Sequence, residues 1–537
     1  MAKSSYSAPG ALEQCRSYWG EGTYASHWDA NARNYPDQEA LVDSQQRLTW
    51  AQAKQLTDRI ALNLLKLGIR RDAVVVLQLP NSVELYVWRI ACEKAGLLSI
   101  SVLRSFRQYE MEYILSRLEA VAIVIPDQFG GRDYYAEIQA ARFKLPSLKH
   151  VFLMGSMQRP SAISTAQLLV GPAEADALSP KAFTNQDIML FCTSGSTGFP
   201  KFVEMPMGVR IFSSKLRAQL YAISNLDVLA GLALSAVGAN AVPFITGSLF
   251  GAKSVLLENF TPEEALDLLQ QEKVTILASV PTILLKLVNH PNFSKYDLSA
   301  LRLVNSGGGP LPYSQAVELQ KRFPCPVVQG YGATELGLGC FNRPDDPVEV
   351  RLGTVGRPLG GQIKLVSDAG KEVAVGEVGE ILGKDPGEAA GYYNDAEATS
   401  KSWDEEHWYH TGDLGRFDVH GNLTIVGRKK DMIIRGGQNI YPIEVESFLA
   451  AHPKVAEVAV IGVPDKILGE KACAVVVTRL GQRFTFEEML AFLRGKNLAS
   501  FKLPEYLELR DSLPHLQDSQ KIDKRVLQRD IGERMGF

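Results

Sequence analysis

Short apolar runs alternate with helix-like segments along most of the chain, and this alternation limits the possible folds more than any other feature. Residues 74–79 are apolar at almost every position, as in a parallel strand that is buried on both faces. A helical segment follows at residues 82–95, and a second strand-like run at residues 121–125. Alternating strands and helices predict βαβ units and a doubly wound α/β sheet.

A second alternating run follows, and the pattern then changes twice before the end of the chain. Residues 254–304 again alternate between strands and helices and lead directly into a glycine cluster at residues 305–310. In open α/β sheets, ligands bind at the carboxyl ends of the strands, where this cluster falls. Short strands separated by Gly and Asp turns, over residues 345–427, predict a small β-barrel or sandwich. We therefore expect an N-terminal core over residues 1–427, with two doubly wound lobes and the β-barrel, and a small α+β domain over residues 428–537.

Composition limits the partners and the compartment. The net charge of −3 over 537 residues gives no electrostatic reason to expect a nucleic acid or an anionic membrane. Six scattered cysteines without zinc-site or Cys-x-x-Cys spacing predict reduced thiols in a cytoplasmic protein. The first residues lack the apolar core of a signal peptide. Residues 228–252 carry no charge, but proline, asparagine and glycines interrupt them, so we expect a buried strand, a loop and a helix rather than a membrane span.

One loop concentrates groups that suit a phosphate. Residues 193–201, Thr-Ser-Gly-Ser-Thr-Gly-Phe-Pro-Lys, hold four hydroxyls, two glycines and one lysine. Glycine lets the backbone approach a ligand closely, backbone N–H groups and hydroxyls donate hydrogen bonds, and Lys201 supplies a mobile positive charge. The spacing is not that of a Walker loop. Taken alone, the segment fits a flexible surface loop equally well.

Two further motifs suit a nucleotide. Residues 329–335, Gln-Gly-Tyr-Gly-Ala-Thr-Glu, place an aromatic ring that can stack on a purine beside a hydroxyl and a carboxylate that suit Mg²⁺. The alternative is a Gly-Tyr-Gly turn with a surface glutamate. Asp413 follows Gly412, and a carboxylate after a tight turn can accept hydrogen bonds from two ribose hydroxyls. By itself, the run Arg428-Lys429-Lys430 is no more than a solvated stretch of charge.

The order of these motifs resembles that of the adenylate-forming superfamily, which holds acyl- and aryl-CoA synthetases, peptide-synthetase adenylation domains and firefly luciferase. The resemblance covers nearly the whole chain. The ATP-binding residues that it implies are Thr193, Ser194, Gly195, Ser196, Thr197, Lys201, Gly308, Gly309, Pro310, Gly330, Tyr331, Gly332, Asp413 and Arg428. It places Tyr331 on adenine, and it implies catalytic roles for Thr334 on the α-phosphate and for Glu335 on Mg²⁺. It also implies a catalytic lysine near the C-terminus, which is Lys521 in this chain.

The same resemblance implies a two-step reaction and a mobile C-terminal domain. In the family, the carboxylate of an acid attacks the α-phosphorus of ATP to give acyl-AMP and pyrophosphate, and the acyl group then passes to a thiol. The small domain rotates between the two steps about a hinge, here Lys430, so that Gly436 and Gly437 line a tunnel for pantetheine. The family usually has Thr-x-x-Gly before its lysine, whereas Gln-Asp-Ser-Gln precedes Lys521.

The acid is expected to be aromatic. Residues 15–19, Cys-Arg-Ser-Tyr-Trp, resemble the opening of stand-alone enzymes that adenylate dihydroxybenzoate or salicylate. The His-Asn-aromatic run usual in their acid pocket is replaced here by Ala-Val-Gly. The expected pocket is apolar and flat, as suits a benzoate-, anthranilate- or salicylate-type ring. Its expected lining residues are Ala236, Val237, Gly238, Gly307, Leu336 and Gly337. Small residues at such positions are equally compatible with close packing of neighbouring elements.

Several functions remain possible, and the main ones differ in the molecule that accepts the acyl group. Residues 435–442 resemble acyl-CoA synthetases more than carrier-loading enzymes, so we expect coenzyme A as the acceptor, together with ATP and Mg²⁺. The main alternative is an enzyme that loads an aryl acid onto the phosphopantetheine of an acyl carrier protein. The remaining alternatives are an aliphatic acyl-CoA synthetase and a nucleotide-binding pseudoenzyme, the latter prompted by the departures from the family pattern before Lys521 and at Phe202.

Overall fold

Helices and sheets alternate through the structure, a computed structural model that describes residues 19, 22–170, 188–193, 199–232, 242–337, 339–384, 391–496, 498–515 and 522–535. Within these ranges the α-helices are Tyr24–Asn34, Trp50–Lys66, Val83–Lys94, Gln108–Arg117, Tyr134–Ala141, Thr165–Leu168, Met207–Leu220, Gly247–Phe250, Pro262–Gln271, Pro281–Val288, Tyr313–Arg322, Val348–Gly353, Ala396–Ser402, Pro442–Leu449, Phe486–Gly495 and Lys524–Met535. Short helical turns are Arg142–Lys144, Val242–Thr246, Phe293–Lys295, Lys429–Asp431 and Ser500–Lys502.

The first lobe is a five-stranded parallel sheet, as the alternation at the start of the chain predicts. From edge to edge its strands are Leu98–Ser101, Val74–Leu77, Ala122–Ile125, His150–Leu153 and Ile163–Ser164. Every residue of Val74–Leu77 and Ala122–Ile125 is buried, which explains why the sequence there is apolar without alternation. A small ribbon beside this sheet pairs Gln128–Phe129 with Arg132–Asp133.

The second lobe is a nine-stranded sheet whose centre is parallel. From edge to edge its strands are Arg357–Pro358, Gly339–Phe341, Val327–Gly332, Leu303–Gly307, Ile276–Ser279, Val228–Gly231, Lys253–Leu256, Glu39–Val42 and Arg47–Thr49. The pairings are parallel from Val327–Gly332 to Glu39–Val42 and antiparallel beyond them at both edges. The two doubly wound lobes expected from the sequence are therefore both present.

The hydroxyl-rich loop belongs to a separate antiparallel sheet. Strands Ile188–Thr193 and Lys201–Pro206 pair along their whole length, with Thr193 opposite Lys201. Strand Gly391–Tyr392, from much later in the chain, pairs with the outer side of Lys201–Pro206. The loop therefore joins the two strands of a hairpin, which the sequence pattern did not predict. Residues 194–198 within it lie outside the described residues.

The last two sheets are both antiparallel in their main pairings. The region expected to be a β-barrel contributes a four-stranded sheet with the order Gln362–Val366, Gly379–Lys384, Tyr409–Phe417 and Leu423–Arg428. The C-terminal α+β unit is built on the long pair Val455–Asp465 and Gly469–Thr478. Its further strands are Ile433–Arg435, Gln438–Ile440 and Tyr506–Leu509.

The uncharged stretch at residues 228–252 folds as short pieces. A strand at Val228–Gly231 is followed, after residues that the structure does not describe, by the helical turns Val242–Thr246 and Gly247–Phe250. Across the described part of the chain, every helix is too short or too polar to traverse a bilayer. The five described cysteines are buried thiols, free of disulfides.

Candidate active site

The glycine cluster and the tyrosine motif lie at the same sheet edge, because two parallel strands end there. Leu303–Gly307 and Val327–Gly332 are neighbours, and Gly307 lies opposite Gly330. A Cβ at Gly330 would come within 2.6 Å of the Phe341 ring, so this position needs glycine. Gly308 has a φ of +76°, which also favours glycine. The predicted adenine-binding residues, including Gly309, Pro310 and the exposed Gly332, are thus brought together by the strand ends.

Three predicted nucleotide-binding residues form one hydrogen-bonded network. The Tyr331 hydroxyl donates to Oδ2 of Asp413 at 2.8 Å, and Nε of Arg428 lies 3.0 Å from Oδ1 of the same carboxylate. Asp413 and Arg428 are directly opposite each other on the strands Tyr409–Phe417 and Leu423–Arg428. The network joins the nine-stranded sheet to the four-stranded sheet, and both oxygens of the carboxylate are engaged.

The protonation states in this network suit a carboxylate that accepts hydrogen bonds. Burial, together with the negative charge of Asp413, holds the pKa of the Tyr331 phenol well above its usual value, so this group remains a donor. Burial by itself would lower the pKa of Arg428, but the carboxylates of Asp413 and Asp431 raise it overall. Asp413 is buried, whereas more than half of the Arg428 side chain is exposed, so the network is open to a ligand on its arginine side.

A second group of residues surrounds Glu335. Its carboxylate is buried and accepts a hydrogen bond from the Tyr392 hydroxyl at 3.0 Å. The ammonium of Lys201 lies 4.4 Å from the centre of the Tyr392 ring. Burial raises the pKa of Glu335, and hydrogen bonds from the backbone and Tyr392, with the charge of Lys201, offset part of that rise. The structure therefore brings together the predicted metal-binding carboxylate and the predicted phosphate-binding lysine.

Tyr392 is a site residue that sequence reasoning missed. It lies on Gly391–Tyr392, the strand that pairs with Lys201–Pro206, and this pairing alone places it between Lys201 and Glu335. The two residues lie 191 and 57 positions away in the chain, so no local pattern joins them. A Gly-Tyr-Tyr run at residues 391–393 was the available signal, and it carries no distinctive chemistry.

The donor set around Glu335 fits Mg²⁺ bound mainly by phosphate. Groups of three or more His, Cys, Asp or Glu side chains able to hold a metal are absent from the described residues. A single buried carboxylate beside a phosphate-binding lysine matches the usual way that Mg²⁺ is held, with one or two carboxylates and the remaining ligands from phosphate oxygens and water. Glu335 is the residue that would hold the ion.

Arg210 is a second residue that the sequence did not reveal. Its guanidinium is buried and donates from Nη2 to the carbonyl of Thr334 at 3.2 Å and from Nη1 to the carbonyl of Gly337 at 3.4 Å. It also lies 4.6 Å from the centre of the Phe191 ring, on the strand that enters the hydroxyl-rich loop. Burial lowers its pKa to about 10, so it stays charged at neutral pH. Arg210 therefore ties the turn that carries Thr334 and Glu335 to the strand of the loop.

The rest of the hydroxyl-rich loop is described only at its ends. The hydroxyl of Thr193 lies 3.4 Å from the carbonyl of Lys201, so both hairpin ends are held together. The predicted phosphate-binding residues Ser194, Gly195, Ser196 and Thr197 lie outside the described residues. Phe202 is buried and stacks towards Tyr113, so this departure from the family pattern is accounted for by core packing.

The predicted acid pocket is described only in part. Ala236, Val237 and Gly238 lie outside the described residues. Gly307 is half-buried at the end of its strand, and the buried Gly337 has a φ of +73° and accepts the hydrogen bond from Arg210. Leu336 is buried and packs so closely on Gly383 that a Cβ there would come within 2.2 Å of it.

The predicted hinge and tunnel residues lie at the start of the C-terminal unit. Lys430 is exposed in the turn Lys429–Asp431. Gly436 and Gly437 are exposed, with φ of +56° and +81°, and form the two-residue turn between Ile433–Arg435 and Gln438–Ile440. A hairpin turn of this length favours positive φ at both positions, so the turn geometry alone explains why both residues are glycine. Lys521 lies outside the described residues.

Comparison with known proteins gives the same picture over the whole chain. Residues 28–393 match the family described as AMP-binding enzyme, and residues 444–520 match the AMP-binding enzyme C-terminal domain. The medium-chain fatty-acid–CoA ligase of Escherichia coli (strain K12) is 32% identical over 528 residues, covering 96% of this chain and 92% of the relative. The 2-hydroxy-7-methoxy-5-methyl-1-naphthoate–CoA ligase of Streptomyces carzinostaticus is 33% identical, covering 95% of each chain.

A solved structure extends the likeness to three dimensions. The anthranilate CoA ligase AuaEII in complex with anthranoyl-AMP superimposes with a TM-score of 0.87 at 25% identity, covering 96% of this chain and 98% of that one. The fold, the order of the motifs and the relatives therefore agree. This chain belongs to the AMP-binding enzyme family and is an AMP-forming ligase.

Proposed function

We propose that this protein activates an aromatic carboxylic acid with ATP and transfers the acyl group to coenzyme A. The observation that carries the proposal is the network of Tyr331, Asp413 and Arg428 beside Glu335 and Lys201, a ready site for the nucleotide. Support for an aromatic acid comes from the naphthoate–CoA ligase and the anthranilate CoA ligase, both named for such acids. The medium-chain fatty-acid–CoA ligase is about as similar, so an aliphatic acid is the alternative to test.

In the first step, a carboxylate oxygen of the acid attacks the α-phosphorus of ATP, and the bond from that phosphorus to the β-bridging oxygen breaks. Pyrophosphate leaves with the electron pair, so the protein must hold the reactants in line and neutralise developing charge. In our proposal Asp413 accepts hydrogen bonds from the ribose hydroxyls, and Lys201 offsets the charge of the departing pyrophosphate. Glu335, which accepts a hydrogen bond from Tyr392, is the residue that would hold Mg²⁺, and the ion when bound would supply positive charge to the phosphates.

In the second step, the thiol of coenzyme A attacks the acyl carbon and AMP leaves. We propose that residues 428–537 rotate about Lys430 against a core of residues 1–427. Support comes from the exposure of Lys430 in a short turn between the four-stranded sheet and the C-terminal sheet. The exposed Gly436–Gly437 turn leaves room for a narrow pantetheine chain. A phosphopantetheinyl carrier protein is the alternative acceptor.

The test is ATP–pyrophosphate exchange with a panel of acids, followed by thioester formation. We expect exchange with benzoate, anthranilate or salicylate at least tenfold faster than with octanoate, and release of free aryl-CoA with coenzyme A alone. If exchange is fastest with octanoate, the substrate is an aliphatic acid and the proposal of an aromatic acid is wrong. Exchange with aryl acids but thioester only on a phosphopantetheinylated carrier would establish the alternative acceptor, and failure with every acid would point to a pseudoenzyme.

A substitution of Lys521 should affect the two steps differently. A protonated amine beside the forming acyl-phosphate stabilises charge in the transition state of the first step only. We therefore expect Lys521→Ala to abolish exchange but to spare thioester formation from supplied aryl-AMP and coenzyme A. Lys524→Ala is the matched control, because Lys524 pairs with Glu446 at 2.6 Å within the C-terminal unit. Equal loss of both steps in Lys521→Ala would contradict the two-conformation mechanism.

A further inference from the structure

A cluster of buried hydrogen-bond donors lies beside the nucleotide site and has no role in the chemistry above. Tyr24, Tyr86 and Arg89 surround the ring of Phe244, with the two tyrosine ring centres 6.2 and 4.7 Å away and the guanidinium carbon 4.7 Å away. All four side chains are at least nine-tenths buried. They come from the helices Tyr24–Asn34 and Val83–Lys94 and from the turn Val242–Thr246.

Four donors in this cluster are without an acceptor in the part of the chain that the structure describes. They are the hydroxyls of Tyr24 and Tyr86, and Nε and Nη2 of Arg89. Nη1 of Arg89 donates to the Ser101 hydroxyl, at 3.4 Å. Leaving buried donors unpaired is costly, and more so when they are charged. The arrangement therefore calls for an occupant that accepts several hydrogen bonds.

The nearby carboxylate does not fill this role. Glu93 is buried on the same helix as Arg89, but its Oε1 accepts from the backbone N–H of Ala25 at 2.8 Å, and the Thr23 side chain also hydrogen-bonds it. Among the described residues Arg89 forms no ion pair with Glu93 or any other acid. Its guanidinium lies over the faces of Phe191 and Phe244, and Tyr24, Tyr86 and Glu93 offset part of its charge without an ion pair.

A cavity gives the occupant room. Tyr24, Arg89, Glu93 and Phe244 line it, together with Met207 and apolar residues of the strand Ile188–Thr193 and of the neighbouring edge of the first lobe. Arg210, whose Nε is also buried and without a partner among the described residues, interacts electrostatically with the Tyr24 hydroxyl. Since Arg210 also holds the Thr334–Gly337 turn, the cavity adjoins the adenylation site.

We propose that Tyr24 and Arg89, which line the cavity, form an internal anion-binding subsite that takes a compact monovalent anion, a carboxylate or a halide, with Tyr86 behind them on the same helix as Arg89. Water suits the cavity less well, because a water molecule brings two donors of its own to a site that already has an excess of donors. An anion brings acceptors only, and its charge balances Arg89. The ligand has two possible sources, a free anion or a second carboxylate carried by the acid substrate. Only the second source rests on the proposed function.

The first experiment uses bromide as the probe and needs no enzymatic activity. Thermal unfolding of the full chain is followed in sodium bromide and in sodium gluconate at equal ionic strength, since gluconate is a far larger anion than bromide. We expect a saturable rise of the unfolding midpoint with bromide only, as for any ligand that binds the folded state. Arg89→Met should abolish this rise. Arg322→Met is the matched control, because Arg322 also lies over an aromatic ring, that of Phe293, but is exposed.

Two milder variants guard against misfolding of Arg89→Met. Tyr24→Phe and Tyr86→Phe each remove only a hydroxyl that lacks a partner among the described residues, so both should fold. Tyr24→Phe should weaken bromide binding about tenfold, the usual effect of losing one hydrogen bond to a charged group. Tyr86→Phe should weaken it less, because Tyr86 does not line the cavity. A crystal grown in bromide should show its anomalous signal in the cavity. An equal response of the wild type to bromide and gluconate, or an undiminished bromide response in all three variants, would overturn the proposal and leave a hydrated cavity.

The second experiment identifies the source of the anion. ATP–pyrophosphate exchange is compared for benzoate and benzene-1,3-dicarboxylate, with and without bromide. The site belongs to the substrate if three results hold together. Bromide must inhibit exchange with the dicarboxylate competitively, Arg89→Met must abolish that exchange, and exchange with benzoate must be unaffected by either change. Bromide binding without dicarboxylate exchange assigns it to a free anion. If no acid supports exchange but bromide still binds, the proposed function fails and the subsite stands.

Discussion

Two polar networks lie side by side in this protein, and they differ in how their groups are satisfied. In the nucleotide network, both oxygens of Asp413 have partners, Tyr331 at 2.8 Å and Arg428 at 3.0 Å. In the cluster around Phe244, the Tyr24 hydroxyl and Nε and Nη2 of Arg89 lack acceptors among the described residues. The members of the first network fix one another's positions, and the network is open to solvent through Arg428. The side chains of the second cluster are buried.

The difference shows what each network can do for a ligand. A network whose members already pair with each other is pre-organised, so a ligand meets groups that need no rearrangement. A buried cluster of one polarity is stabilised only when its complement binds. We therefore expect substitutions in the first network to affect catalysis most, and those in the second to affect stability and anion dependence.

The largest effect is expected from Asp413→Ala. The substitution removes the proposed acceptor of two ribose hydroxyls and leaves Tyr331 and Arg428 without their partner. Hydrogen bonds to charged groups are each worth about 1.5–3 kcal/mol, so kcat/KM for ATP should fall by a factor of about 100 or more. Asp368→Ala is the matched control, because this exposed carboxylate pairs at 2.8 Å with Lys429, the residue that follows Arg428 in the chain. Similar kinetics for the two variants would contradict the assignment.

Glu335→Gln should have the next largest effect. Glutamine resembles the protonated acid, so we expect kcat to fall about tenfold or more and the Mg²⁺ concentration for half-maximal rate to rise. Because burial raises the pKa of Glu335, wild-type activity should decline on acidification at a higher pH than for an ordinary carboxylate, and this acid limb should vanish in the variant. Initial rates from pH 5 to 8 test this. An unchanged acid limb would assign the titration to another group.

Arg210→Met should lower kcat about tenfold with little change in the KM for ATP. Arg210 holds the carbonyls of Thr334 and Gly337, so its loss loosens the turn rather than a contact with the nucleotide. Arg217→Met is the control, since Arg217 is buried on the same helix but lies over Phe341 instead. Single-turnover rates measure the effect. A fall of the same size in both variants would indicate only a general loss of packing.

The smallest effect is expected from Glu93→Gln, and it is an effect on the thermal stability of the protein rather than on catalysis. Burial raises the pKa of Glu93 to about 7, and Lys94 and Arg89 offset only part of this. A carboxyl whose pKa is raised on folding stabilises the folded state below its unfolded pKa, and that contribution is lost as pH rises towards 7. Glu93→Gln should therefore raise the thermal midpoint at pH 8 by a few degrees and change it little at pH 5. Glu405→Gln, on an exposed residue, is the control, and a gain that is independent of pH would contradict the prediction.

The same comparison explains which features the sequence could reveal. Tyr331, Thr334 and Glu335 lie within one short motif, and Asp413 follows a glycine turn, so local spacing and family resemblance were sufficient to predict roles for them. Arg210 and Tyr392 reach the site only through tertiary pairing. The fold followed the apolar runs closely, because buried parallel strands are marked by continuous hydrophobicity. The three-stranded sheet that holds Lys201 was not predicted, since its third strand comes from residues nearly 200 positions away.

The donor cluster could not be found in the sequence at all. Arg89 lies in the helix Val83–Lys94, where all but one residue is buried, so a reader of the sequence expects core packing or a surface charge there. Tyr24 and Phe244 join it from segments separated by more than 200 residues. Phe202, which the sequence marked as a departure from the family pattern, belongs to the core instead.

The most direct test of the central claim, that the paired network holds the ribose of ATP, is a comparison of two nucleotides in two proteins. The measured quantity is the ratio of kcat/KM for ATP to that for 2′,3′-dideoxy-ATP, in the wild type and in Asp413→Ala. If Asp413 accepts both ribose hydroxyls, the ratio should be about 100 in the wild type and close to one in the variant. In the variant the carboxylate is absent, so removing the ribose hydroxyls as well costs nothing further. An equally large ratio in both proteins would show that the hydroxyls are bound elsewhere and would contradict the account.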